Sequence, residues 1–106
     1  MSSYTLKESK RDNTVRVEIT PSFDSTDWEQ MFTEVRGRSQ EAGLNWEIDA
    51  TQLSFINSIM LGQIIEINSL VAGGGGSLRL ILTRDSRLIQ LIQLAKINRI
   101  VKVIEV

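Results

Sequence analysis

Of the residues able to do chemistry in this 106-residue chain, Ser58 has the most favourable setting. It follows a strand-like run ending near Asp49 and opens a stretch of helical periodicity, so free N–H groups and the positive end of a helix can receive a phosphate there. The same position suits an ordinary helix N-cap, a role serine fills in any protein. Asn57 beside it can also cap a helix, but it carries no carboxylate. Ile59 and Met60 come next and read either as core or as an apolar contact patch on the rim. Glu47 and Asp49, two apart on one strand face, have the spacing of paired carboxylates, yet nothing nearby in sequence supplies a nucleophile or an oxyanion donor. For Asp49 the expected role is to organise the following loop through hydrogen bonds.

What is missing narrows the chemistry further. The chain has neither cysteine nor histidine, which removes disulfides, thiolate nucleophiles, imidazole bases and the usual zinc ligands. No metal, no cofactor and no enzymatic activity are expected. Gly73-Gly74-Gly75-Gly76 lacks the following Lys-Ser/Thr of a phosphate-binding loop and precedes a strand, so it reads as a turn. Arg36, Arg38, Arg79, Arg84 and Arg87 are interspersed with Glu34, Glu41 and Asp85, and the net charge is -1; nucleic acid is therefore not an expected partner.

The elements that must position these residues follow from periodicity. Tyr4 and Leu6, then Val15, Val17 and Ile19, alternate with polar neighbours around Lys10-Arg11-Asp12-Asn13, the pattern of an antiparallel hairpin. Thr26-Asp27-Trp28-Glu29 has the form of a capping box, with Thr26 as N-cap of a helix running to about Glu41 and Gly43 just past its end. Leu44, Trp46, Ile48 and Ala50 alternate as a third strand, and the two tryptophans fall on core positions. Asn57 or Ser58 then caps a second helix, apolar over much of its circumference and ended by the glycines. Leu78, Leu80, Ile81 and Leu82 read as an inner strand covered on both sides. Asp85 or Ser86 caps a third helix with Leu88, Leu91, Ile92 and Ala95 as its stripe, and Ile100 to Val106 forms the last strand.

The order β-β-α-β-α-β-α-β implies an α/β fold with a mixed sheet of about five strands and three or more helices, in one domain over residues 1–106. The apolar runs are too interrupted to span a membrane, and Met1 to Arg11 lacks the pattern of a secretory signal. No direct membrane insertion and a cytoplasmic location are the expectation.

Trp46-Glu47-Ile48-Asp49 followed by Phe55-Ile56-Asn57-Ser58-Ile59-Met60-Leu61-Gly62 resembles the central motif of STAS domains, the family of bacterial anti-sigma-factor antagonists. There a strand ends in Asp, and Asp-Ser-Ser-Gly-Leu-Gly opens a helix. Ser58, Leu61 and Gly62 match; Asn57 replaces Asp, Ile59 the second Ser and Met60 the first Gly. Leu78 to Ile81 and Arg87 to Ile100 look like the next strand and helix of the family, with Lys96 and Asn98 where Gly and Asp are usual. The resemblance implies a STAS-like fold and a regulatory interaction module in which Ser58 is a phosphorylation switch. It implies that an anti-sigma factor or a serine kinase of the same pathway docks over Phe23, Asp24, Ser25, Asn57, Ser58, Ile59 and Met60. The alternative it allows is a STAS scaffold subunit of a larger signalling or transporter-associated assembly that docks without phosphorylation. Homo-oligomerisation stays open under either.

Overall fold

The computed structural model describes residues 3–106. Tyr4–Ser9 (β1) and Thr14–Ile19 (β2) form the expected antiparallel hairpin, with Asn13 in the left-handed region at φ 51° where the chain turns. Ser25–Arg38 (α1), Asn45–Asp49 (β3), Ser58–Gly73 (α2), Leu78–Leu82 (β4) and Arg87–Leu94 (α3) follow, then a short 3-10 turn at Ile97–Arg99 and Lys102–Glu105 (β5). The five strands lie side by side in chain order, and β2, β3, β4 and β5 run parallel. This is the mixed five-stranded α/β arrangement, with three helices, that the sequence implies.

The entry to α1 differs from the expected one. Asp24, not Thr26, is the N-cap: its carboxylate accepts the Asp27 N–H at 3.0 Å while Asp27 accepts the Asp24 N–H at 2.9 Å. Both positions fit a capping box by residue type. Starting at Asp24 also places Phe23 just before the cap and Trp28 at the fourth helical position, where the two rings meet edge to face at 6.4 Å. That apolar staple selects the start. The helix ends at Arg38, not Glu41, because Ser39 turns its buried hydroxyl back onto the Arg36 carbonyl at 2.9 Å. Gly43 does adopt φ +68°, but in the loop leading to β3.

Cross-strand register explains the core. Val15, Trp46 and Leu78 align, as do Val17, Ile48 and Leu80, and all are buried beneath the helices. The alternate positions Arg16, Glu47 and Arg79 align on the other face and keep partial solvent contact. The helices thus cover one face of the sheet, and β4 is not enclosed on both sides. Ile81 on this open face is buried yet stands outside the core cluster, flanked across the ladder by Asp49 and Ile104. A run such as Leu80-Ile81-Leu82 carries no alternation to reveal this.

The glycine turn has one position that admits no side chain. A Cβ on Gly76 would fall 2.0 Å from the Leu44 carbonyl oxygen, and Gly75 takes φ +87° just before it.

Candidate functional site

The strand-to-helix connection between β3 and α2 is built outward from Asp49. One carboxylate oxygen of Asp49 accepts from the Thr51 N–H at 3.1 Å and the Thr51 hydroxyl at 2.6 Å. The other accepts from the Arg16 guanidinium at 2.8 Å. Burial pushes the pKa of this carboxyl up, but the Thr51 donors and the Arg16 charge prevail and hold it below the usual carboxylate range. Asp49 is therefore an ionised anchor for the loop. From there Leu53 is buried, and Phe55 and Ile56 rest half-buried on the core.

Asn57 turns the chain into the helix. Its backbone is extended and its side chain accepts the Met60 N–H at 2.9 Å, so Asn57, not Ser58, is the cap of α2. Ser58 becomes the first helical residue and is exposed. No hydrogen bond among the described residues takes up the N–H groups of Ser58 and Ile59. The first turn of α2 contains no acidic side chain. A free hydroxyl beside open N–H donors at a helix start is therefore in place.

The residues expected to form the partner surface divide by helical phase. Ile59 is 67% exposed, whereas Met60 is 3% exposed and points into the core with Ile64, Ile67 and Val71. Met60 is core and offers no contact surface. Phe23 is likewise buried, with its ring edge to face against Tyr4 at 6.2 Å and against Trp28. The staple that starts α1 draws it inward. Asp24 and Ser25 remain exposed, as does Gly62, while Leu61 is half-buried.

α1 and α2 both start beyond the carboxyl ends of parallel strands, so Asp24 and Ser25 share one end of the molecule with Asn57, Ser58 and Ile59. The Trp28 indole N–H donates to Gln63 at 2.6 Å and ties the two helix starts together. That link joins positions 35 residues apart and leaves no local pattern in the sequence.

The carboxylate pair has a different use from acid–base chemistry. Glu47 receives Arg79 at 2.6 Å and Arg16 at 3.4 Å, and Arg16 also reaches Asp49, giving an ionic net across β2, β3 and β4. Arg16, Glu47 and Arg79 line a cleft of about 380 Å³ on the open sheet face. Alternating charges at positions 16, 47 and 79 were visible in the sequence, but their alignment depends on register. Among the described residues no group of His, Cys, Asp or Glu is placed to hold a metal ion, and no helix is long and apolar enough to cross a membrane.

No protein-family model matches the chain, and no curated protein matches it at a significant level. Two solved structures of TM1081 do match. The crystal structure, of a Thermotoga maritima protein named as a candidate anti-sigma factor antagonist, has a TM-score of 0.75 at 17% identity, over 97% of this chain and 86% of that one. The NMR structure has a TM-score of 0.68 at 18% identity, over 99% of this chain and 81% of that one. At such identity the likeness establishes the fold, and it is the STAS-like one.

Proposed function

We propose that the chain is a regulatory interaction module of the anti-sigma-factor-antagonist type. It has no catalytic site of its own. Its partner surface is the edge made by Asp24, Ser25, Asn57, Ser58 and Ile59, with Phe23 and Met60 supporting that edge from within. The partner is an anti-sigma factor or a serine kinase of the same pathway. The observation carrying this reading is Ile59: a large apolar side chain, 67% exposed, directly after an exposed serine on a helix whose other large apolar residues are buried or half-buried. The name of the structurally similar Thermotoga protein supports the same class.

In this reading phosphorylation of Ser58 adds nearly two negative charges to an apolar contact and weakens it. Ser58→Asp and Ser58→Ala, titrated with the partner recovered from native lysate, test the switch. The aspartate variant should bind at least about tenfold more weakly, because its charge must be desolvated in the interface, and the alanine variant should stay near wild type. Equal affinities would leave Ser58 as a structural residue.

One feature favours the scaffold alternative, in which the edge docks within a larger assembly without modification. Asn57 presents an amide where a phosphorylating partner would meet a carboxylate. Phosphosite mapping of the free and the partner-bound protein from its host separates the two readings: phosphate on Ser58 in the free pool alone supports the switch, and Ser58 without phosphate in both pools supports the scaffold.

A further inference from the structure

The last quarter of the chain carries a feature unrelated to the α2 edge. In α3 the buried Leu88, Ile89 and Ile92 occupy one side, and Arg87, Gln90, Leu91 and Leu94 occupy the opposite one at helical spacing. Leu91 is 44% exposed, Leu94 80% and the following Ile100 53%. These three apolar side chains are interspersed along the chain with Arg87, Lys96 and Arg99, all exposed. The ion pairs among the described residues engage Lys7, Arg16, Arg36, Arg38 and Arg79, and none of these three. From Arg84 to Ile100 four cations accompany one anion, Asp85, although the whole chain has a net charge of -1. This segment therefore carries a local net positive charge.

Lys96 adds a second observation. It follows α3 in the left-handed conformation at φ 60°, ψ 24°, where glycine would be unstrained. The fold tolerates that strain and keeps an ammonium at the end of the ridge.

We propose that the α3 ridge is a peripheral docking surface for an anionic phospholipid bilayer. Leucine and isoleucine set among arginine and lysine match a lipid–water interface, where the apolar tips enter the acyl boundary and the cations meet headgroup phosphates. A second copy of the chain is disfavoured, because two such ridges packed together would oppose cation to cation. Leu94, at 80% exposure, is the most open of the three apolar side chains, and a fluid bilayer takes it up without a preformed groove.

The test is co-sedimentation of the full chain with vesicles of equimolar phosphatidylglycerol and phosphatidylcholine, against vesicles of phosphatidylcholine alone. Binding should require phosphatidylglycerol and fall as salt is raised. Arg87→Gln with Arg99→Gln should weaken it about 25-fold, from roughly fivefold per cation removed. Lys10→Gln with Arg11→Gln, two exposed cations at the opposite sheet edge, should leave it unchanged. Lys96→Gly separates binding from folding: it should raise the melting temperature by relieving the left-handed strain while weakening vesicle binding about fivefold. Equal sedimentation with both vesicle types, equal losses in the two double variants, or undiminished binding by Lys96→Gly would overturn the proposal. Binding to a soluble acidic amphipathic helix but not to vesicles would also overturn it, assigning the ridge to a protein partner.

Discussion

Single side chains at Asp24 and Tyr4 determine how the first third of the chain is fastened. Asp24 and Asp27 cap each other's backbone N–H groups, so Asp24→Ala should lower stability by about 1 kcal/mol in chemical denaturation, whereas Thr26→Ala should change it by less than about 0.5 kcal/mol. The reverse ranking would restore Thr26 as the cap. The Tyr4 hydroxyl donates to Glu34 at 2.7 Å, and burial, then the Glu34 hydrogen bond and charge, push its pKa up to about 12. A neutral phenol is thus favoured in the folded state. Its contribution is complete below the ordinary tyrosine value near 10 and is lost as pH rises from about 10 to 12. Melting temperatures over that window should fall more steeply for wild type than for Tyr4→Phe, and parallel curves would deny the coupling. The chemistry of Asp24 was legible in the sequence, but its role was not. Two overlapping capping patterns competed, and the choice rested on Phe23 meeting Trp28, which is a contact and not a residue type.

At the scale of elements, the phase of α2 decides which of its apolar residues enter the core. Met60, Ile64, Ile67 and Val71 face the sheet, while Leu61 and Ile65 lie at the margin of the core. Ile64→Ala should therefore cost about 2 to 5 kcal/mol through lost burial and a residual cavity, and Leu61→Ala clearly less. Equal losses in urea denaturation would contradict this phase. A helix apolar nearly all round announces its existence but hides its orientation, and for that reason Met60 passed as a surface candidate beside Ile59. The turn after α2 offers a second check. Gly76→Ala drives a methyl into the Leu44 carbonyl and should destabilise by about 1 to 3 kcal/mol. Gly62→Ala, with open space around the added methyl in a helix interior, should gain about 0.5 to 1 kcal/mol. A tolerant Gly76 would mean that the β3 approach is looser than the structure has it.

For the whole molecule, element order was readable because every strand and helix had its own periodicity and punctuation. The one-sided covering of the sheet was not, since it depends on which alternate residues of separate strands come into register. Arg16, Glu47 and Arg79 cross the open face with ion pairs, and the helix starts gather at one end of the sheet. These features separate three surfaces: the edge at Asp24 and Ser58, the open sheet face, and the cationic α3 ridge. In the proposed function the protein partner docks on the first. Backbone amide shifts of the isotope-labelled chain, followed by NMR as the purified partner is added, test that assignment most directly. The predicted result is a footprint centred on Asp24, Ser25 and Asn57 to Gly62. A footprint centred on Lys7, Arg16, Glu47 and Arg79, with the amides of Ser58 and Ile59 unmoved, would contradict it.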